Sequence, residues 1–244
     1  MSILSRRQPV GLLLAALVAS ACPGSGRRDI LHTEKKLYSQ NDEELIIRDF
    51  FQDRRGGFFL DVGASDPVQN STTYYLEKHL GWTGIGVDAL YQYHLTWRIQ
   101  RPASKYLMYI VTDHSGSVEP FYRTSEPALS SVEPERVFEG KHLVDAEKLE
   151  VETITLDKLL DDNGVKKIDF LSMDIEESEP AALAGFDIRR FQPDLVCIEA
   201  SDSVRERILA YFAAHGYERI DRYLEADSVN WYFQPKVQTG GAHQ

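Results

Sequence analysis

Residues 58–67 read FFLDVGASDP. Five residues, Phe58 to Val62, are apolar but for one acid, which is the pattern of a strand buried on both faces. A glycine turn follows, and then a second acid, Asp66. Glycine turns after strands usually let a phosphate approach the backbone, and a dinucleotide site needs a G-x-G-x-x-G run for its pyrophosphate. Here Gly63 is followed by Ala64, Ser65, Asp66 and Pro67, so the later glycines are missing and carboxylates stand where phosphates would lie. The turn therefore predicts a nucleotide-type fold with a ligand that is not a diphosphate.

Working outward, strand-like and helix-like segments alternate from residue 37 onward. Ser39 and Asp42 precede ELIIRDFF in a capping-box pattern, and Asn70-Ser71 offers a cap to TTYYLEKHL, closed by Gly81. GIGVD (84–88), KYLMYIV (105–111), IDFLSMD (168–174) and DLVCIEA (194–200) read as further core strands. LYQYHLTWRIQ continues as a helix up to Pro102, with Tyr91, Tyr93 and Trp97 packing it on the sheet or one of them lining a pocket. Thr155 caps LDKLLDDNG, a short helix surrounds PAALAG, and Asp202 caps SVRERILAYFAAH. VEPFY and VETIT pair as additional β-segments, with residues 124–148 between them read as a substrate-facing excursion. YERI and NWYFQ close the chain as a hairpin-like pair. Together these predict an α/β fold of Rossmann-like type, a mostly parallel seven-stranded sheet with an antiparallel C-terminal edge.

The whole chain has 244 residues, is 43% hydrophobic and carries a formal charge of −11. That length suits one globular domain, placed at residues 37–236, and the charge argues against a nucleic-acid partner. Two cysteines exclude a disulfide scaffold, Cys197 reading as a buried strand residue. Residues 1–22 resemble a secretory or lipoprotein leader: a basic start, the apolar run GLLLAALV, then Ala19-Ser20-Ala21 before Cys22. Arg6-Arg7 hints at the twin-arginine route. Export or membrane attachment through this leader is expected, a misassigned start with a cytoplasmic protein being the alternative. Residues 23–36 read as a polar linker and 237–244 as a frayed tail.

In open α/β sheets the ligand sits beyond the carboxyl ends of the strands. Those ends carry Asp61, Asp88, Asp113, Asp174 and Glu199. Each acid could simply cap the helix that follows it, but five in succession suggest a pocket. S-adenosylmethionine has no phosphate; it has a sulfonium, an ammonium and a ribose diol. Asp61 and Asp66 suit the cations, Gly63 allows close approach, and Asp88, about 25 residues on, suits the ribose hydroxyls. Asp174, Glu176 and Glu199 are the candidates for a base or for holding an acceptor hydroxyl. Carboxylates so clustered raise one another's pKa. No metal is assigned, since no Asn or His pattern supports one. His79 and His215 lie near helix ends; His94 and His114 lie nearer the expected site, His114 as a secondary base.

The blocks YSQNDEELIIRDFF, FFLDVGASDPVQNSTTYYLEKHLGWTGIGVDA, TDHSGSVEPFY, TITLDKLL, IDFLSMDIEESEPAALAGF and PDLVCIEA, in this order over residues 37–234, resemble the FkbM-type methyltransferase family. The resemblance implies a Rossmann-like, S-adenosylmethionine-dependent enzyme that O-methylates hydroxyls of glycans, polyketides and similar metabolites. It implies that Asp61, Gly63 and Ala64 form the cofactor loop, that Asp88 is the ribose acid, and that Thr112-Asp113 lie near the adenine. Asp174-Ile175-Glu176 match a D-x-E motif usually followed by glycine, and Glu177 stands in that place. Asp66-Pro67 likewise replaces the more usual acid-glycine pair. An exported or membrane-attached binding module on the same fold, without catalysis, is the alternative.

Overall fold

The structure is a computed structural model that describes residue 31 and residues 37–125, 130–132 and 146–237. The leader, nearly all of the linker and tail, and most of the 124–148 excursion lie outside the described residues.

Seven strands form the main sheet: β1 (Phe58–Val62), β2 (Thr83–Asp88), β3 (Lys105–Met108), β7 (Phe170–Met173), β8 (Leu195–Glu199), β9 (Tyr217–Arg219) and β10 (Asn230–Pro235). Their order is β3-β2-β1-β7-β8-β10-β9. The first five run parallel, and β10 runs antiparallel to both β8 and β9. This is the Rossmann-like, mostly parallel seven-stranded sheet expected from the sequence, including the antiparallel C-terminal edge.

Each central strand is buried on both faces because its alternate side chains meet different helices. Leu60, Val62, Leu171, Met173, Val196 and Ile198 join one core with α4 (Leu156–Asp162), α5 (Glu179–Ala184), α6 (Ile188–Phe191) and α7 (Arg205–Ala214). Phe59, Phe170, Leu195 and Cys197 face the other way, onto Ile46 and Ile47 of α1 (Glu43–Phe51), Leu76 and Leu80 of α2 (Tyr74–Leu80), and Trp82. Asp61 follows the parity of Phe59 and so reaches toward the residues that enter α2.

Several boundaries differ from the sequence expectations. The 105–111 run is two strands. β3 stays in the main sheet, and β4 (Ile110–Val111) leaves it to pair with β6 (Glu147–Ile154), itself antiparallel to β5 (Val118–Arg123). The change of partner falls at Tyr109, whose N–H still bonds Asp88 O at 3.1 Å, whereas Thr112 N–H bonds Ile154 O at 3.0 Å. The predicted caps are partly replaced. Asp42 makes no side-chain cap to α1; instead Ser39 Oγ accepts from Glu44 N–H at 3.1 Å. α2 starts at Tyr74 after Thr73, beyond Asn70-Ser71. Asp202 pairs with Arg205 in the first turn of α7 rather than capping it. Thr155 caps α4 as expected, accepting from Lys158 N–H at 3.2 Å. Among the described residues, no helix is long and apolar enough to cross a membrane.

Candidate active site

The carboxyl ends of β1, β2 and β7 open into one cleft of about 290 Å³. Its floor is the turn after β1. Gly63 sits at φ +85°, and a Cβ there would lie 1.8 Å from the backbone oxygen of Asp174, so only glycine lets β1 and β7 end this close together. Gly63 and Ala64 N–H both bond Val87 O, at 2.9 and 3.3 Å.

Asp61, Asp66, Asp88, Asp174 and Glu176 all line this cleft, with Gly63 and Ala64 between them. Among the described lining residues none is Lys, Arg or His. Asp88 is held from both sides, Oδ2 by Ser65 N–H and Oδ1 by Leu90 N–H, each at 2.9 Å. Burial pushes its pKa up, while those amide bonds oppose the shift. Asp61 is almost fully enclosed and accepts a 2.6 Å bond from Thr73 Oγ1. Burial raises it to about 6, against the pull of Thr73 and of the Arg101 guanidinium. Asp66 has Oδ1 occupied by Val68 and Gln69 N–H, both at 2.8 Å, so one of its oxygens shapes the loop.

Thr112 and Asp113 are not brought to the cleft. With β4 turned into the second sheet, they pack beside Gly185, and Asp113 bonds His114 at 2.8 Å on the surface. His114 also reaches Glu119 at 2.8 Å, which places it away from the cleft as well. Tyr109, Ile110 and Val111 take the wall where Thr112-Asp113 were expected. Of the aromatic trio on the third helical segment, Tyr93 lines the cleft, Trp97 is buried and donates to Ser65 O at 2.8 Å, and Tyr91 is exposed.

Glu199, at the end of β8, sits behind Asp174. Asp174 opens to solvent through the cleft yet is ringed by protein, and its pKa is raised to about 7, first by burial and next by Glu199, with which it shares a hydrogen bond. Glu179, not singled out from the sequence, completes the cluster. Ligand oxygens of Asp174, Glu179 and Glu199 lie within 4.8 Å of one another, a set that could also hold a cation. Glu179 is fully buried at the start of α5. Its Oε1 accepts from Ile175 N–H at 2.8 Å, while Oε2 has no hydrogen-bond partner among the described residues. Burial raises it to about 8. Asp174 and Glu179, both with raised pKa values, can carry protons in place of a metal. Glu176 and Glu177 adopt left-handed conformations, at φ +56° and +70°. Glu177 thus occupies, under strain, a position whose backbone suits glycine.

The fold and this acid-lined, base-free turn define a class: Rossmann-like methyltransferases, which bind a cationic methyl donor rather than a diphosphate. Residues 61–219 match the model of the methyltransferase FkbM domain, and the chain belongs to that family. S-adenosylmethionine is accordingly its cofactor. No curated protein matches the chain. Among solved structures, a TehB-like S-adenosylmethionine-dependent methyltransferase of Corynebacterium glutamicum is similar at 15% identity and TM-score 0.44, over 80% of this chain and 87% of its own. A methyltransferase of Geobacter sulfurreducens in complex with S-adenosyl-L-homocysteine is similar at 9% identity and TM-score 0.41, over 85% and 96% of the two chains. These likenesses are distant, and the family match carries the assignment.

The cleft fits the cofactor on its own chemistry. Asp88, with each oxygen anchored by one amide, keeps lone pairs for a vicinal diol. The carboxylates complement an ammonium and a sulfonium, and the turn offers no basic group to a phosphate.

Proposed function

We propose that the chain is an O-methyltransferase acting on a hydroxyl of a glycan, polyketide or similar metabolite, with Asp174 as the base and Glu176 and Glu199 holding the hydroxyl or the base. The observation that carries this reading is Asp174 itself: a carboxyl raised to about 7, open to the same cleft as Asp61 and Asp88. A base tuned near neutrality is half ionised at working pH yet strong enough to take a hydroxyl proton. When bound, S-adenosylmethionine supplies an electrophilic methyl group on its sulfonium. The protein's share is to orient and deprotonate. Asp88 would hold the ribose, Asp61 would face the cations, and Ala89, Leu90, Ile110 and Val111 would offer an apolar wall to the base. In the lining, Tyr93, Tyr109 and Phe121 stand with Gln40, Gln69 and Asn70, a mix of aromatic faces and amides suited to a neutral, hydroxyl-rich acceptor. Attachment through residues 1–22 belongs to the same proposal. Fractionation with a C-terminal tag tests it, and a processed exported form lacking cofactor would favour the binding module.

The test pairs binding with transfer. Asp88→Ala should weaken S-adenosylmethionine binding at least about 10-fold by calorimetry. Asp174→Asn should bind it nearly normally but lose about 10²–10⁴-fold in methyl transfer to a panel of glycans and lipid-linked sugars. Unchanged affinity in Asp88→Ala, or full transfer by Asp174→Asn, would end the reading.

A further inference from the structure

Arg101, just beyond α3 (His94–Gln100), is wholly buried although it lines no part of the cleft. Its donors converge on one loop and one helix. Nε donates to Glu77 Oε2 of α2 at 2.7 Å. Nη1 donates to Pro67 O at 3.1 Å and to Ser71 Oγ at 3.3 Å. Nη2 donates to Thr73 O at 3.2 Å and to Thr73 Oγ1 at 3.1 Å. The rings of Trp97 and Phe59 flank the guanidinium, 4.5 and 5.3 Å from Cζ. The loop so held contains Gln69, Asn70, Ser71 and Thr72, all at the cleft. Thr73 Oγ1, having accepted from Arg101, spends its own proton on Asp61 Oδ2 at 2.6 Å.

We propose that Arg101, acting through Thr73, is a positioning residue for the cationic end of the methyl donor: it fastens the 67–73 loop at the cleft and keeps the Asp61 carboxylate ionised in one orientation. The inference rests on the cofactor assignment. Among the described residues, the charged groups around Asp61 are few. Asp88 on β2 opposes its ionisation, and Asp174 after β7 lies near enough to feel its charge. Arg101 is the cation that favours its ionisation, and is itself balanced by Glu77, with Tyr74 nearby. Burial pushes Asp61 toward its protonated form, Thr73 and Arg101 oppose that, and a neutral carboxyl gives a cation little. The Thr73 bridge therefore sets the pH range over which the β1 acid attracts the donor.

The experiment is calorimetric binding of S-adenosylmethionine to the full chain from about pH 6 to about pH 9, in wild type, Thr73→Val, Thr73→Ser and Arg101→Lys. Thr73→Val is nearly isosteric and keeps the fold testable if Arg101→Lys does not fold. It should lose about 10-fold in affinity near pH 6.5, with the gap closing toward pH 9, and Thr73→Ser should restore wild-type behaviour. A Thr73→Val loss of equal size at every pH would assign a merely structural role, and no loss at all would remove any role; either overturns the inference. Wild-type protein that fails to bind the donor would instead bring down the cofactor assignment itself.

Discussion

At the scale of single residues, the acids that matter were legible because a strand end is a place a sequence announces. Asp61 and Asp88 close runs of buried apolar residues, and the structure puts them across one turn from each other. Arg101 and Glu179 were not legible. Arg101 bonds partners 24 to 34 positions away, and Glu179, close to Asp174 along the chain, meets Glu199 only because β7 and β8 are neighbours. Glu177 was legible as an oddity, a residue standing where glycine is usual, and the structure supplies the physics. Its φ of +70° costs a side-chain-bearing residue about 1 kcal/mol. Against that, Glu177 Oε1 accepts from Ser201 Oγ at 2.9 Å, but Ser201 would keep Ser203 Oγ at 3.0 Å. Glu177→Gly should therefore raise unfolding stability by about 1 kcal/mol in urea titrations. A destabilised variant would mean that the link to Ser201 outweighs the strain.

At the scale of elements, alternation of buried strands with helices was enough to give five parallel strands in order. What it could not give is where a strand changes partner. KYLMYIV is continuous in hydrophobicity, and nothing in its side chains marks Tyr109 as the point where the backbone leaves β2 for β6. That switch has two consequences. It carries Thr112-Asp113 away from the cleft, and it brings the small sheet β4-β6-β5 against it, with Phe121 of β5 among the lining residues. Phe121 is remote in sequence from every cofactor-loop residue, so its expected role is toward the acceptor. Phe121→Ala should leave S-adenosylmethionine affinity unchanged and raise the acceptor KM several-fold, about 1 kcal/mol for the loss of one aromatic face. Equal losses in donor and acceptor binding would show that the small sheet supports the pocket as a whole.

At the scale of the whole molecule, the cleft stores a cost that depends on pH. Asp61, Asp174 and Glu179 are raised to about 6, 7 and 8 from ordinary values of 3.8, 3.8 and 4.5. In each case burial is the first cause. The folded chain then binds these protons more tightly than the unfolded chain does. Their stabilising effect is complete below the unfolded values and is lost as pH rises through the folded ones. Across this window the unfolded state holds fewer protons, so stability falls with rising pH between about 4 and about 8. Glu179 is the cleanest probe, being fully buried and outside the cleft lining. Gln in its place would keep an acceptor for Ile175 N–H and would put an uncharged amide where Oε2 has no partner among the described residues. Glu179→Gln should match wild type within about 0.5 kcal/mol near pH 5 and exceed it by about 2 kcal/mol near pH 8.5, read from thermal melts of the cofactor-free chain. Melting curves that stay parallel across that range would mean Glu179 is ionised throughout in the folded protein. The acid cluster would then have to be balanced by a bound cation, and a divalent metal would restore the missing charge.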